Sequence, residues 1–379
     1  MKLLHVTPYM DPVYGGPSVA VRMMAAVAVA QGVEVHVAVT NAAGFEDLRI
    51  ADGASVEEDG VIFHYFQRRF PRSWFRAPSM KPWLDAHITE FDLLHLHVPF
   101  TAPFGIAAQA AQRAGRPYVV TLHGLLDPWS LRQKAWKKRP YLRFIERDNL
   151  ARATRLHVTA PLEAGYVEAL NLGPRVCSLP LAVDCGGATF PDKSRAQPSR
   201  VLCIARLHPV KALPVLFRAL EKLRKDGLDV VLDIAGNGDA EYVSELKKLV
   251  RELDLEPYVV WHGYVNAEQR RLLFAQAHLF ALLSFHENFG LAAAEALAAG
   301  LPVVVSDQVG LASDVKTYTA GEVVPVGNPE RAAQAIAKLL DPLVAAQRGR
   351  CARKLALERY GADAFAEGLM SLYRDALGY

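Results

Sequence analysis

The feature that most constrains the fold is an alternation of short β-rich runs with longer helix-forming runs along the whole chain. This alternation is typical of parallel sheets whose strands are joined by crossover helices. In the first half we predict strands at residues 2–7, 34–40, 61–66, 93–97, 118–122 and 155–159. In the second half we predict strands at 200–204, 229–235, 259–262, 279–283 and 302–306, with a short edge strand at 321–326.

A polar stretch at 191–199, which contains two prolines, separates the two sets of strands and is the best candidate for a linker. We therefore predict an α/β protein of two doubly wound domains that face each other across a cleft. Ligands of such domains bind at the carboxyl ends of the strands. The chain has 379 residues, which is enough for two domains that each bury a core. Apolar residues recur at helical spacing in 363–379, which predicts a final amphipathic helix.

The composition excludes several classes of protein. Hydrophobic residues make up 51% of the chain and charged residues 22%, which is typical of a globular protein and excludes disorder. The apolar run at the N-terminus is too short for a signal peptide, and no apolar run approaches the roughly 20 residues of a membrane span. The four cysteines have no CxxC spacing, which favours a reducing compartment, so we predict a cytoplasmic protein.

Two glutamates, Glu287 and Glu295, lie on either side of the start of a predicted helix that is nearly all Ala and Leu. Gly300 and Pro302 end this helix. Glu287 then lies in the preceding loop, on the order of 12 Å from Glu295 along the helix axis. The free N–H groups that follow Gly290 make an anion site between the two carboxylates. This arrangement fits a nucleotide-sugar, with phosphate in the middle and a polyol at each end; two solvated surface glutamates are the alternative.

Two cations, Arg206 and Lys211, follow the predicted strand 200–204 around a proline turn. They can clamp a diphosphate, the arginine through its planar fork and the lysine as a point charge. Two solvated surface cations are the alternative. The chain has no Asp-x-Asp motif, and fixed cations with a helix dipole can replace a metal in stabilising a leaving group. We therefore expect no metal and no other cofactor.

The segment HENFGLAAAEALAAGLPVVVSD, residues 286–307, resembles the signature of retaining family-4 glycosyltransferases, which have the GT-B fold. The resemblance extends over most of the chain. Further segments match the family in the expected order: YMDPVYGGPS, FDLLHLHVPF and VVTLHG in the first half, then CIARLHPVKAL, DIAGNGD and WHGYV in the second. It implies two Rossmann-like domains, 1–190 for the acceptor and 191–362 for the nucleotide-sugar. It also implies that the final helix, 363–379, crosses back to the first domain.

The resemblance implies retaining transfer of a hexose from a nucleotide diphosphate sugar to a hydroxyl acceptor, without a protein nucleophile. The catalytic residues it implies are Glu287, Arg206, Lys211 and His123. The donor contacts it implies are Gly15, Gly16, Arg206, Lys211, Gly236, Asn237, Tyr264, Val265, Glu287, Asn288, Phe289, Gly290, Leu291 and Glu295. In this assignment Glu287 holds the sugar hydroxyls and Glu295 holds the ribose. A merely tight turn is the alternative for the glycine pair, and a strand cap is the alternative for His123.

Two residues, His97 and Asp127, are candidates for contact with the acceptor. His97 lies near the end of a predicted strand, whereas Asp127 could equally begin a turn before Pro128. His95 and His97 share one face of that strand, but we find no convincing third ligand in the sequence and predict no metal site.

Basic and aromatic residues are interleaved in 66–76 and 129–155. Lys or Arg occupies positions 132, 134, 137, 138, 139, 143, 147, 152 and 155. Such faces suit an anionic membrane surface, and a solvated helix and loop are the alternative. The mild overall charge of +3 disfavours nucleic acid as a partner. We predict transfer to a lipid-linked or cell-surface glycan intermediate of polysaccharide or O-antigen synthesis. A soluble enzyme that makes a small glycoside or glycosyl phosphate, and a non-catalytic nucleotide-sugar binder, are the alternatives.

Overall fold

The computed structural model describes residues 1–44, 46–133, 135–186 and 198–379. The chain divides into two compact units. The N-terminal unit comprises residues 1–181 together with 363–379, and the C-terminal unit comprises 182–362. Most of the predicted linker, 191–199, lies outside the described residues.

The strands of the N-terminal unit are β1 (Lys2–Thr7), β2 (Glu34–Thr40), β3 (Ala42–Ala43), β4 (Glu46–Asp47), β5 (Ser55–Glu58), β6 (Val61–Phe66), β7 (Leu93–His97), β8 (Tyr118–Thr121), β9 (Arg155–Val158) and β10 (Arg175–Ser178). Those of the C-terminal unit are β11 (Ser199–Ile204), β12 (Val230–Ala235), β13 (Val259–Gly263), β14 (Leu279–Leu282), β15 (Val303–Ser306) and β16 (Gly321–Val324).

The α-helices are α1 (Gly16–Ala30), α2 (Met80–His87), α3 (Ala102–Ala114), α4 (Pro128–Arg132), α5 (Ala135–Tyr141), α6 (Arg147–Ala151), α7 (Pro161–Glu168), α8 (Leu213–Lys225), α9 (Ala240–Glu252), α10 (Ala267–Gln276), α11 (Leu291–Ala298), α12 (Ala312–Tyr318), α13 (Pro329–Leu339), α14 (Pro342–Arg359) and α15 (Ala362–Leu377). A π-helical turn at Leu142–Glu146 joins α5 to α6.

The N-terminal unit contains an eight-stranded sheet in the order β10-β9-β8-β7-β1-β2-β6-β5. All its neighbouring strands are parallel except β5 and β6. The C-terminal unit contains a six-stranded parallel sheet in the order β13-β12-β11-β14-β15-β16. Central strands such as β1 and β7 are buried almost throughout, because helices cover both faces of parallel sheets. Each unit therefore has its own apolar core.

The final helix, α15, completes the N-terminal unit. Its Phe365, Leu369 and Tyr373 are almost fully buried. The hydroxyl of Tyr373 lies 2.9 Å from Nδ1 of His95 in β7. The guanidinium of Arg155 at the start of β9 donates to both carboxylate oxygens of Asp375, at 2.6 and 2.8 Å.

All the strands predicted from the sequence are present, with ends that differ by at most two residues. The edge strands β5 and β10 and the short pair β3–β4 were not predicted. All four residues of β5, Ser-Val-Glu-Glu, are exposed. An edge strand of this kind lacks the apolar alternation by which strands are recognised.

Candidate functional site

The predicted donor residues of the C-terminal unit lie in loops that follow four strands. Arg206 and Lys211 follow β11, Gly236 and Asn237 follow β12, and Tyr264 follows β13. The segment 287–290 lies between β14 and α11. These four strands are neighbours in the order β13-β12-β11-β14. Because they are parallel, their carboxyl ends share one edge of the sheet, and the four loops meet there.

The carboxylate of Glu287 is paired with the ammonium of Lys211. Both side chains are largely buried, with 20% and 16% exposed. The backbone N–H of Glu287 donates to the carbonyl of Gln308 at 3.0 Å, and its carbonyl accepts from Gly310 at 2.9 Å. The loop therefore fixes the position of Glu287. The structure brings together two residues that were predicted to hold different parts of a ligand, and the ammonium has three donors, enough to contact an anion as well.

Arg206 is exposed and has no ion-pair or hydrogen-bond partner in the part of the chain that the structure describes. Between it and Lys211, Nδ1 of His208 accepts from the backbone of Val210 and so begins a 3₁₀ turn. Burial, and then the charges of Arg206 and Lys211, lower the pKa of His208. The guanidinium of Arg206 is available to an anion.

Helix α11 begins as predicted, with Glu287 in the loop before it and Glu295 in its second turn. Gly290 has φ of 96°, and a Cβ atom there would lie 3.0 Å from Val309. The backbone thus requires glycine at the point where the helix N–H groups become free. The side chain of Phe289 is buried against Tyr360, with ring centroids 5.3 Å apart, so this side chain is not open to a ligand.

Glu295 is paired with Arg270 of α10, whose Nη1 donates to its two carboxylate oxygens at 2.8 and 3.0 Å. Burial raises the pKa of Glu295, and the guanidinium partly offsets this effect. Each carboxylate oxygen keeps a further lone pair, so a vicinal diol can still donate to it. Arg270 was not predicted from the sequence. The only signal for such a partner in the sequence was the apolar run around Glu295, because a partly buried carboxylate needs a cation or a hydrogen-bond donor.

The predicted GNG segment after β12 has a structural explanation of its own. A Cβ atom at Gly236 would lie 1.9 Å from the carbonyl oxygen of Ala205, and one at Gly238 would lie 2.1 Å from that of Leu207. The two loops approach so closely that side chains cannot be accommodated. Tyr264 is 74% exposed, whereas Val265 is buried, so of these two side chains only that of Tyr264 is open to a ligand.

In the N-terminal unit, Gly15 and Gly16 are exposed at the start of α1. Gly15 has φ of 77°, which explains the glycine there. Gly16 has no positive φ, and a Cβ atom added to it would meet nothing within 4 Å. The geometry of the turn therefore explains why residue 15 is a glycine, but it does not require a glycine at position 16. Close approach of a ligand to the backbone would explain Gly16. The neighbouring Tyr14 holds the loop, because its ring stacks on Tyr9 at 4.0 Å and its hydroxyl bonds the backbone of Gly44.

His123 follows β8 with a left-handed backbone, φ of 52°, and its imidazole is half-buried. Its Nε2 lies 3.3 Å from Nδ1 of His97. Burial lowers the pKa of His123 to about 3, so the ring is neutral at physiological pH. The next residue, Gly124, donates its N–H to Oε1 of Glu163 at 2.6 Å, and Thr159 donates to Oε2 at 2.9 Å. Glu163, which was not predicted, thus fixes the loop that carries His123.

The two residues predicted to contact the acceptor are both buried. His97 is 0% exposed and lies between His5 and His123, with its Nε2 2.9 Å from Nδ1 of His5. Asp127 is 1% exposed and stands at the N-terminus of α4, before Pro128. Neither side chain presents a surface to an acceptor in the structure. The alternative given for Asp127 was that it begins a turn before Pro128; in the structure it precedes the first residue of α4.

His5 joins His95 and His97 in a buried cluster whose ring nitrogens lie within 4.8 Å of one another. His5 is the third histidine that was not recognised in the sequence. The rings are close to parallel, with centroids 4.3–5.2 Å apart and interplanar angles of 17–29°. Nδ1 of His5 and Nε2 of His97 lie 2.9 Å apart, a hydrogen-bond distance. The ring nitrogens of His95 likewise lie at hydrogen-bond distance from Tyr373 and Thr121, so hydrogen bonds account for this packing.

The two basic-aromatic segments adjoin each other in the N-terminal unit. Trp74 packs edge-on against Tyr141, with centroids 5.6 Å apart. We give the name aromatic-basic patch to the following exposed residues of the two segments: Phe70, Trp74, Trp136, Phe144, Lys137, Arg139 and Arg143. Trp136 is 75% exposed and Phe144 76%. Other cations of these segments are paired within the protein, for example Arg68 with Asp47, and Lys134 lies outside the described residues.

A buried carboxylate, Glu146, lies behind the aromatic-basic patch at the end of the π-helical turn. It accepts from the backbone N–H of Phe100 and, at 3.2 Å, from the side chain of Asn149. Burial raises the pKa of Glu146 to about 7. None of the helices in the described residues combines the length and the apolar character that crossing a bilayer requires.

Two family models match the chain and together cover most of it. The glycosyl transferase 4-like domain matches residues 15–182, and the glycosyl transferases group 1 model matches residues 189–354. Among curated proteins, the chain is 30% identical over 329 residues to a D-inositol 3-phosphate glycosyltransferase of Salinispora arenicola, which covers 80% of this chain and 73% of that protein.

A second relative is the GDP-mannose-dependent alpha-(1-6)-phosphatidylinositol monomannoside mannosyltransferase of Mycolicibacterium smegmatis. It is 28% identical over 306 residues, which cover 75% of this chain and 77% of that protein. Among solved structures, sucrose-phosphate synthase of Thermosynechococcus elongatus has a TM-score of 0.80 at 21% identity and covers 98% of both chains. Anabaena HepE, solved with UDP and glucose, has a TM-score of 0.77 at 21% identity and covers 98% of this chain and 99% of its own.

Proposed function

Because the chain belongs to the glycosyl transferases group 1 family and has the GT-B fold, we propose that this glycosyltransferase moves a hexose from a nucleotide diphosphate sugar to a hydroxyl acceptor. We further propose that it retains the anomeric configuration and requires no metal. The relatives support a donor of this class: HepE was solved with UDP-glucose, and the mycobacterial relative is GDP-mannose-dependent.

The observation that carries the donor proposal is the set of groups at one edge of the C-terminal sheet. Arg206, Lys211 and the N-terminus of α11 supply positive charge and free N–H groups. Glu287 and Glu295 lie in the loop and on the helix on either side of that N-terminus. A diphosphate suits the positive centre, and the hydroxyls of the sugar and the ribose suit the two carboxylates.

Catalysis in this proposal depends on positioning and fixed charge. Negative charge develops on the departing diphosphate, and Arg206, Lys211 and the helix N-terminus stabilise it. Glu287 holds the hydroxyls of the donor sugar as positive charge develops at the anomeric carbon. The acceptor attacks from the face that the diphosphate leaves, and a phosphate oxygen takes the acceptor proton, so no protein base or nucleophile is needed.

We propose a lipid-linked acceptor, with the enzyme attached peripherally to the cytoplasmic face of a membrane through the aromatic-basic patch. Exposed tryptophan and phenylalanine beside exposed cations suit an anionic lipid surface. The name of the mycobacterial relative gives phosphatidylinositol monomannoside as its acceptor. The alternative, a small soluble acceptor, has its support in the relative named for D-inositol 3-phosphate.

A thermal-shift screen tests the donor proposal. One nucleoside diphosphate should raise the melting temperature in the presence of EDTA, because a ligand at 100 times its Kd stabilises the folded state by about 2.7 kcal/mol. Glu295→Ala should abolish most of that shift, and Glu330→Ala, the same change at an exposed residue of α13, should leave it intact. No shift with any nucleoside diphosphate would contradict the donor proposal. Equal shifts in wild type and Glu295→Ala would contradict only the ribose assignment.

Liposome flotation tests the membrane proposal. The wild-type protein should float with anionic vesicles at low salt, and the Trp136→Ala, Phe144→Ala double variant should bind at least tenfold more weakly, since each exposed aromatic ring contributes about 1–2 kcal/mol. Leu343→Ala changes an apolar residue of the C-terminal unit that is 83% exposed and serves as the matched control. A wild-type protein that stays in the buffer would favour the soluble alternative.

A further inference from the structure

Three histidines of the N-terminal unit form a chain that leads from the core to His123. Nδ1 of His5 lies 2.9 Å from Nε2 of His97, and Nδ1 of His97 lies 3.3 Å from Nε2 of His123. His5 and His97 are fully buried, whereas His123 is half-buried. At the inner end, Nε2 of His5 is buried and has no hydrogen-bond partner among the described residues.

The three rings are neutral at physiological pH. Burial lowers the pKa of His5 and of His123 to about 3, and it lowers the pKa of His97 well below its usual value. A neutral imidazole carries one proton, so one of its nitrogens donates and the other accepts. Two self-consistent arrangements of protons follow. In one, every N–H points outward toward His123, and in the other every N–H points inward toward His5.

The inner end of the chain distinguishes these two arrangements. The inward arrangement places an N–H on Nε2 of His5, where it would be buried without an acceptor. The outward arrangement leaves only a bare lone pair there. Buried donors without an acceptor are rarer in proteins than acceptors without a donor. In the outward arrangement, His5 donates from Nδ1 to His97, His97 donates from Nδ1 to His123, and the proton of His123 is therefore on Nδ1.

We infer that His5 and His97 are positioning residues that hold His123 in its Nδ1–H tautomer, as a hydrogen-bond donor. Nδ1 of His123 has no partner in the described part of the chain, so this donor is available to a ligand. The consequence for catalysis rests on the proposed function. His123 would donate to an oxygen of the substrate, and it would not take the acceptor proton through this atom.

The tautomer can be measured directly by NMR on the full-length protein labelled with ¹⁵N-histidine, with His123→Gln used to assign the signal. At neutral pH we expect a pyrrole-type ¹⁵N shift at Nδ1 of His123 and a pyridine-type shift at Nε2. The reverse pattern would overturn the inference. This measurement requires no turnover, so it remains informative if the enzyme acts on other substrates than those proposed.

Two substitutions of His5 separate the tautomer effect from packing. His5→Asn keeps an N–H near the position of Nδ1 and should preserve the Nδ1–H tautomer of His123. His5→Leu removes that donor and should give a mixture of tautomers, with a loss of kcat on the order of tenfold for one weakened hydrogen bond. His157→Phe, at a buried histidine that bonds Thr121 and Leu179 instead, is the control for lost stability. An unchanged tautomer in folded His5→Leu would refute the positioning role.

Discussion

Acidification to about pH 4.5 is expected to unfold the N-terminal unit. Six of its histidines lie in or beside the sheet, and burial lowers the pKa of each from 6.5: His5, His64, His95, His97, His123 and His157. In the unfolded chain these groups take up protons below about pH 6.5, whereas in the folded unit His5, His64, His123 and His157 stay neutral until about pH 3–4. The unfolded state thus binds more protons in this window, so stability falls as the pH falls through it.

The expected effect is as large as the stability of a domain. A histidine whose pKa falls from 6.5 to about 3 lowers the free energy of unfolding by between about 2 and 3 kcal/mol at about pH 4.5. Several such groups together reach the roughly 5–15 kcal/mol by which proteins are stable. One group acts in the opposite sense, because burial raises the pKa of Glu146 to about 7 and favours its neutral form in acid.

Hydrogen exchange over a pH series measures this loss for each unit. Peptides from β1 and β7 should lose protection before peptides from β12, because the fully buried histidines of the described residues all belong to the N-terminal unit. His157→Gln should lower the pH dependence of the free energy of unfolding by about 1.4 kcal/mol per pH unit, the slope that corresponds to one proton. Equal protection of β1 at neutral pH and at about pH 4.5 would contradict the expectation.

Glu287→Gln is expected to lower kcat/KM by about 10²–10³-fold, the scale of removing one fixed electrostatic contact to a transition state. Glutamine keeps the size of the side chain but loses the charge that pairs with Lys211 and accepts from sugar hydroxyls. Binding of the nucleoside diphosphate should change little, because the freed ammonium still attracts phosphate. Steady-state kinetics with the donor found in the thermal screen, together with the melting shift, separate the two effects.

Two companion variants make the Glu287 result interpretable. Lys211→Met should lose both turnover and nucleotide binding, since it removes positive charge and leaves Glu287 without its partner. Glu330→Gln, on the exposed face of α13 in the same unit, should leave both unchanged. If Glu287→Gln retains wild-type turnover, the carboxylate does not act on the sugar.

The parts of the fold that follow from local sequence were predicted well. Helix α11 lies between Gly290, which has a left-handed backbone, and Gly300. Because its Ala-rich composition strongly favours a helix, the position of Glu287 before the helix and of Glu295 within it could be inferred. The buried strands are recognised by continuous β-branched and apolar runs. Each of these signals lies within a window of fewer than about twenty residues.

The partners of the site residues could not be predicted in this way. His5 and His97 are 92 positions apart, Lys211 and Glu287 are 76 apart, and Arg270 and Glu295 are 25 apart. Such contacts depend on which strands become neighbours and on the direction of each side chain. Local periodicity in the sequence gives no information about either. Burial of His97 and Asp127 was missed for the same reason, because a polar residue at a strand end or before a proline is more often exposed.

The return of α15 to the first sheet makes the order of synthesis differ from the order of completion. Residues 182–362 form a unit that is contiguous in the chain, whereas the N-terminal unit needs 363–379, which are synthesised only after that unit. Tyr373 and Phe365 can therefore fill its interior only once residues 182–362 have been made. Until then the unit made first exposes the hydrophobic surface that α15 will cover, and a stop codon before residue 363 would destabilise the N-terminal unit.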